Sequence, residues 1–354
     1  MAERTPDSKK ESAMSKEAML YEKKGGDEVR CHLCNHYCTI PPGKFGLCRV
    51  RENRGGALYS RVYEEAIAAN ADPIEKKPLY HFLPGTLSFS MATRGCNFQC
   101  GFCQNWQISQ TTTDGGAHRV TANLPPNEIV RLARSQTCHS IAYTYTEPTI
   151  FFEYAYDTAR LAHEAGLKNL FVTNGFMTDE ALQTLQPYLD AANVDLKAFS
   201  DEFYRKTCRG KLQPVLDTIR RMRELGVWVE VTTLIVPGQN DSDGELSEIA
   251  GFLAGVDANI PWHISRFHPD YQFNGEEVTP VSTMKRALDI GREKGLRYIY
   301  MGNVGDVSRD TACPECGETV IRRNVMAATE SWLQNGACPS CEATIPGVFE
   351  HPSV

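Results

Sequence analysis

From residue 87 onward, short runs of apolar and β-branched residues alternate with longer stretches whose apolar positions recur every three to four residues. The runs at 87–93, 140–145, 169–173, 192–196, 227–236, 262–267 and 297–301 read as strands. The stretches at 126–136, 149–165, 178–189, 214–225, 244–254 and 283–294 read as amphipathic helices. Strand and helix alternating this many times predict a parallel sheet covered by helices. No Gly-x-Gly-x-x-Gly follows the first strand, so a barrel or partial barrel is expected rather than a dinucleotide-binding sheet.

The pattern is different outside that region. Residues 1–24 are charged and poor in aromatics, which predicts a disordered polar tail running into a short helix over 15–23. A small cysteine-rich module is expected over 25–60 and a connecting loop over 61–86. In that loop Asp72, Pro73, Glu75, Lys76, Lys77 and Pro78 suggest an irregular crossing of the barrel end, with charges solvated or ion-paired rather than catalytic. The barrel is expected over 87–305 and a second cysteine-bearing module over 306–354.

Eleven of the thirteen cysteines fall into three groups with metal-ligand spacing, which requires reduced thiols and points away from disulfides. Cys31, Cys34, Cys38 and Cys48 occupy eighteen residues, with turn-forming Pro41, Pro42, Gly43 and Gly46 between the third and fourth. Four thiolates around zinc are the simple reading and an auxiliary iron-sulfur cluster is the alternative; His36 could replace one thiol. Isolated four-cysteine groups with turn glycines favour zinc, and the tighter run of two-cluster ferredoxins is not matched. Cys313, Cys316, Cys338 and Cys341 form two Cys-Pro-x-Cys knuckles about twenty residues apart, the spacing of a zinc ribbon. Cys138 and Cys208 read as ordinary buried or helix-surface thiols.

The third group, Cys96, Cys100 and Cys103, follows the first barrel strand directly with spacing CxxxCxxC. Three thiolates this close can hold three corners of an iron-sulfur cube and leave its fourth iron open. Zinc competes, but structural zinc is four-coordinate and no fourth ligand lies nearby in sequence. Ligands of parallel barrels meet the C-terminal ends of strands, where the chain places Glu147, then Thr173 and Asn174, then Asp195 and Lys197, and finally His268. Charges ending an apolar strand are either a structural ion pair or ligands, and the shared end with the cysteines favours ligands for Asp195 and Lys197. Helix capping by Thr146 or Thr149 is the plain reading of the segment around Glu147. A histidine is more often structural, yet His268 follows Arg266 at a strand end, where a ribose or carboxylate could be met.

Cys96-Asn97-Phe98-Gln99-Cys100-Gly101-Phe102-Cys103, with an aromatic before the last cysteine, resembles the radical SAM superfamily. The resemblance implies an α/β fold, a partial (α/β)6 TIM-like barrel flanked here by the N-terminal cysteine module and the C-terminal ribbon-like module. It implies a [4Fe-4S] cluster whose open iron chelates S-adenosylmethionine, and reductive cleavage to methionine and a 5'-deoxyadenosyl radical. Glu147 stands where the family's Gly-Gly-Glu segment holds the methionine ammonium, with Tyr145 and Thr146 replacing its glycines. Thr173-Asn174-Gly175, Asp195-Leu196-Lys197 and Phe267-His268 are similar to pyruvate formate-lyase-activating enzymes and other glycyl-radical activases. Those activases use an acidic residue before Thr-Asn-Gly toward a monovalent cation; Val172 stands there instead, while Thr173 and Asp195 match. Cys31 to Asn53, Asp72 to Gly85, Gly95 to Gln110, Tyr143 to Thr149 and both Cys-Pro-x-Cys pairs look like the AmmeMemoRadiSam group. That resemblance implies AMMECR-like and Memo-like partners and an electron donor such as flavodoxin or ferredoxin.

Composition narrows the function classes. A net charge of -7 and acidic residues Glu315, Glu318, Glu330 and Glu342 in the ribbon weigh against a general nucleic-acid grip. No apolar run approaches a membrane span, and the polar start carries no secretory core, so a cytoplasmic protein is expected. A radical SAM enzyme acting on an unidentified substrate is the leading expectation. A glycyl-radical activase acting on a protein partner is the alternative, and a metal-bearing scaffold without catalysis is the reading from another class. An open iron serves no purpose in a scaffold.

Overall fold

A computed structural model describes residues 15–110, 122–305 and 307–350. Most of the expected polar tail, residues 1–14, lies outside the described residues. An eight-stranded sheet organises the chain. Its strands are β1 (Ala68–Pro73), β2 (Leu87–Ala92), β3 (Ser140–Tyr143), β4 (Lys168–Thr173), β5 (Ala191–Asp195), β6 (Trp228–Ile235), β7 (Trp262–Arg266) and β8 (Ile299–Gly302), in that spatial order. All neighbours from β2 to β8 pair in parallel, and β1 lies antiparallel on the β2 edge. Helices α1 (Pro126–Ser135), α2 (Phe152–Glu164), α3 (Asp179–Leu185), α4 (Leu212–Glu224), α5 (Asp243–Asp257) and α6 (Val281–Glu293) link successive parallel strands. This is an α/β architecture with a partial-barrel sheet, as the sequence resemblance implies.

Strand alternation separates two interiors. Ile141, Tyr143, Phe171, Ala192, Val194, Val229 and Val231 face the helices and form the main core. The opposite face is largely polar, with Ser88, Ser90, Ser140, Asn193, Glu230, Thr232 and His263 all buried. Its lower end is plugged by the 74–83 loop, whose Ile74, Leu79, Phe82 and Leu83 pack on Ala142, Leu170 and Ala191. A buried carboxylate anchors this plug: Glu230 accepts hydrogen bonds from the backbone N–H of Tyr80 (2.9 Å) and His81 (2.8 Å), and His263 Nε2 lies 2.6 Å from it. The C-terminal segment packs below, with Val320, Ile321 and Ile345 against Tyr80, Tyr298 and Tyr300.

Two expectations are corrected. The helix expected over 15–23 is replaced by two short strands, Lys16–Glu17 and Tyr21–Lys23, paired with Ala57–Ser60 and Val29–Cys31. Leu20 has φ +55° and interrupts any helix, while Met19 N–H donates to Glu153 Oε1 at 2.7 Å and Met19 carbonyl accepts from Arg51 at 2.8 Å. The 61–86 loop contains strand β1, which ends on Pro73, a residue tolerated because this is an edge strand. Three of its charges are ion-paired, Asp72 holding Lys77 at 2.9 Å and Lys76 at 3.2 Å, while Glu75 accepts from the backbone N–H of Gly85 and Ala328.

Candidate active site

A cavity of about 310 Å³ opens at the C-terminal ends of the parallel strands. Cys96, Cys100 and Cys103 line it together with Phe102, Glu147, Asn174, Asp195 and Lys197, so residues from four loops converge there. Gly95 makes the turn out of β2 possible: it adopts φ +96°, and a Cβ there would lie 2.8 Å from Val50 Cγ1. The cysteine loop is clamped by the turn Tyr204–Cys208, where Gln99 N–H donates to Cys208 carbonyl (2.9 Å) and Gly101 N–H to Thr207 carbonyl (3.2 Å). Trp106 stacks on Tyr271 and donates from Nε1 to Asp270 (3.1 Å), fixing the far end.

The three thiols line a roomy cavity, unlike a closed single-ion cage. A tetrahedral zinc site with bonds of ~2.3 Å brings sulfurs to within ~4 Å of each other. The four thiols of the C-terminal group all lie within 4.8 Å of one another, the compact arrangement a single ion needs. Donors already face the sulfurs: Phe98 N–H lies 3.3 Å from Cys96 Sγ, Asn174 Nδ2 3.9 Å from it, and Ser109 Oγ 3.2 Å from Cys103 Sγ. Burial raises the thiols of Cys96 and Cys103, so deprotonation at neutral pH depends on a bound cation. Cys100 is lowered, first by a hydrogen bond from Cys208 and then by the Lys197 ammonium. Cys208 is a buried thiol, and the Tyr204–Cys208 turn folds it onto Cys100.

Glu147 is buried and heavily committed. Its Oε1 accepts from Thr149 N–H (2.9 Å), Thr149 Oγ1 (2.6 Å) and Thr173 Oγ1 (2.7 Å), and its Oε2 accepts from Asn174 N–H (2.7 Å). The capping role expected of Thr146 or Thr149 thus belongs to Glu147 itself, and only Oε2 keeps capacity for another donor. Thr173 is turned by strand alternation toward Glu147, and Val172 lines the cavity in its place. Asn174 is held by Asn97 Oδ1 at 2.7 Å. Asp195 and Lys197 are both an ion pair, at 3.0 Å, and cavity residues, so the two sequence readings are not alternatives. Burial pulls Lys197 down, but Asp195 and Cys100 outweigh it and keep the ammonium well above its ordinary range. Phe102 stacks on Phe203 with its ring under Lys197 Nζ at 5.8 Å.

His268 is exposed and does not line the cavity. After β7 the chain is drawn outward: Phe267 N–H donates to Thr279 Oγ1 (3.1 Å) and Arg266 Nε to Thr279 carbonyl (2.7 Å), leaving Ser265 as the β7 residue at the cavity. Sequence reasoning missed Asn97, Ser109 and Cys208. It also missed the rim formed by Lys77 and Tyr145, whose hydroxyl lies 2.5 Å from Asp72. Tyr145, a non-glycine residue at φ +64° beside Glu147, carried no sequence signal of its turn.

The two outer modules differ in geometry. Cys313 and Cys341 Sγ lie 3.6 Å apart, as do Cys316 and Cys338, close to a zinc tetrahedron's edge. Cys31, Cys34, Cys38 and Cys48 instead line a cavity of about 20 Å³. Among the described residues no helix is long and apolar enough to cross a membrane.

Comparison with known proteins agrees with this site. Residues 91–253 match the Radical SAM superfamily. An uncharacterized protein of Methanocaldococcus jannaschii is 44% identical over 88% of this chain and 93% of its own length. A protein of the same organism named for glycyl-radical enzyme activation is 26% identical over 50% of this chain and 66% of its own. A pyruvate formate-lyase-activating enzyme of Clostridium pasteurianum is 22% identical over 46% of this chain and 68% of its own. The chain is an enzyme of the radical SAM superfamily, in one family with the first of these relatives and homologous to the activating enzymes of glycyl-radical enzymes.

Proposed function

We propose that the chain reductively cleaves S-adenosylmethionine and uses the resulting 5'-deoxyadenosyl radical to abstract hydrogen from a substrate at the barrel mouth. The observation that carries this reading is the convergence of Cys96, Cys100 and Cys103 with Asn174, Asp195 and Lys197 in one cavity. Cys96, Cys100 and Cys103 would hold a [4Fe-4S] cluster through three of its irons. When bound, that cluster and S-adenosylmethionine supply the electron and the sulfonium bond whose cleavage yields methionine and the radical. The protein's own residues position the reactants. Lys197 offers a persistent cation to a carboxylate, Asp195 an acceptor to hydroxyls, and Asn174 a polar edge fixed by Glu147 and Asn97. Phe98 and Phe102 keep water from the thiols.

The test is anaerobic reconstitution, confirmation of cluster content, and addition of dithionite and S-adenosylmethionine. Methionine and 5'-deoxyadenosine are the expected products. A fully loaded protein that forms neither overturns the reading and favours a non-catalytic scaffold. The names of two relatives favour a protein substrate, so glycyl-radical activation is the second reading; a glycyl doublet in the paramagnetic-resonance spectrum of a candidate partner would mark it.

The same proposal includes zinc in the ribbon of 306–354, supported by the 3.6 Å sulfur pairs, and a cytoplasmic setting that keeps the thiols reduced. A flavodoxin or ferredoxin would deliver electrons. AMMECR-like and Memo-like partners rest on the sequence resemblance alone. The division into a tail, a four-cysteine module, a connecting segment, a barrel and a ribbon is the organisation we assign.

A further inference from the structure

We infer that an acidic one-electron carrier protein docks on the outer side of the cysteine loop and passes its electron inward past Cys100. The electron's destination rests on the proposed function; the docking place rests on geometry and charge.

Alternate residues of the loop face opposite ways. Cys96, Phe98, Cys100, Phe102 and Cys103 line the barrel-mouth cavity, whereas Gln99 and Gly101, on either side of Cys100, line a second cavity of about 250 Å³. The loop itself is a wall of this second cavity, and the other walls are fastened to it. Gln110 Nε2 donates to Phe98 carbonyl at 3.1 Å, and Gln272 N–H donates to Gly101 carbonyl at 3.0 Å. Phe273 closes on Gly101, where a Cβ would stand 2.7 Å from its ring. Gln99 is exposed between the buried Phe98 and Cys100, so a cluster ligand lies one residue behind the surface. Electron tunnelling weakens steeply with distance. Entry here is short, and it leaves the barrel mouth to S-adenosylmethionine and substrate.

Charge selects the partner. The chain has a net charge of -7, yet this cavity is lined by Arg49, Lys206 and Arg209 and by no carboxylate. Glu202 pairs with Lys206 at 2.6 Å from a neighbouring hollow, and both side chains are exposed, so the pair holds that cation weakly. Among the described residues Arg209 makes no hydrogen bond or ion pair, and it is exposed at the end of the Tyr204–Cys208 turn. Exposed cations give a small anion little, because water screens each pairing. They suit a protein whose acidic face is steered in by several charges at once. Tyr271 and Phe273 add aromatic surface beside them, a mixture that protein interfaces favour. In the step, one electron leaves the carrier, which is oxidised by one unit, and the cluster proposed at Cys96, Cys100 and Cys103 receives it. No bond forms or breaks.

The test follows electron transfer by anaerobic stopped flow, with the reconstituted full chain and a photoreduced flavodoxin of net negative charge as the probe. Wild type should oxidise the flavodoxin at a second-order rate that falls as salt rises. R209E and K206E should each slow it about tenfold at low salt, and R209Q by less, with iron and sulfide content unchanged. R322E, on the C-terminal segment, should leave the rate alone. Reduction by the methyl viologen radical cation, which has no acidic face to dock, should not slow in any variant. Equal flavodoxin rates in wild type, R209E and K206E overturn the docking place, as does slowing with both reductants, which would trace the effect to the cluster site itself. A wild type that viologen reduces and flavodoxin does not overturns it too. Inorganic phosphate that binds wild type but not R209E, with flavodoxin rates equal, would make the cavity a small-anion site instead. A chain that takes electrons at this face yet forms no 5'-deoxyadenosine overturns the proposed function and leaves the docking surface standing.

Discussion

Two cysteine quartets flank the barrel, and they are built in opposite ways. In the C-terminal quartet two thiols are exposed, and the sulfurs pair at 3.6 Å at the tips of knuckles. In the N-terminal quartet none is exposed, and the thiols line a small cavity together with a buried arginine. A knuckle closes on an ion by local turns alone. The N-terminal set draws its fourth thiol from ten residues beyond the third, and its walls include Ile150 from the loop after β3. Equal numbers of thiols therefore do not mean equal settings: local turns build the exposed C-terminal cage, while long-range packing encloses the N-terminal one.

The largest effect that would test this contrast is loss of the ribbon's metal. Structural zinc is worth on the order of 10 kcal/mol to small four-ligand modules, so C313S with C338S should unfold the segment. Amide exchange protection should vanish across 311–345 and persist in the parallel strands, with iron content unchanged. Loss of protection throughout the barrel would show that the two fold as one unit.

Next is the buried pair beside the N-terminal cavity. R51M leaves the Glu153 carboxylate buried without its cation, and breaking such a pair costs about 3–5 kcal/mol. Urea denaturation should show that loss, and adding E153L should recover most of it. A change below ~1 kcal/mol would mean that water reaches the pair.

The smallest effect concerns acid. His81 bridges Pro346 carbonyl (2.8 Å) and Tyr300 hydroxyl (2.6 Å), joining plug, barrel and C-terminal segment. Burial lowers its pKa to about 4, against a partial upward pull from Glu230. Between pH 6.5 and 4 the unfolded chain takes up a proton that the folded chain refuses, so stability falls as pH falls, by up to ~3 kcal/mol. Denaturation midpoints at pH 7, 5.5 and 4.5 should decline accordingly. A flat profile would place His81 in contact with solvent.

Much of the barrel was legible because its apolar runs are long and regular. All seven parallel strands lie at the runs read from the chain, and the helices differ mainly at their ends, as where a 3-10 turn at Pro148–Phe151 precedes α2. Strand β1 was not legible: Ala68-Ala69-Asn70-Ala71-Asp72-Pro73 has little apolar contrast, and pairing to β2 creates the strand. The cysteines of the site were legible as a local motif. Cys208, Asn97 and Ser109 were not, since each gains its role from a partner that folding supplies. His268 failed for the converse reason, a suggestive neighbour in sequence that Thr279 draws away from the cavity.

By itself, the sequence determined which thiols act in groups, which strands and helices alternate, and that charged residues end the strands beside the CxxxCxxC loop. Spacing along a chain sets only how far neighbouring side chains can reach. Only the tertiary structure decided that Asp195 and Lys197 both pair and face the cavity. It alone decided that Glu147 is committed to Thr149, Thr173 and Asn174, and that Cys31, Cys34, Cys38 and Cys48 line one small cavity with the buried Arg51. Those outcomes depend on donor-to-acceptor distances, which packing between remote segments fixes to within a fraction of an ångström.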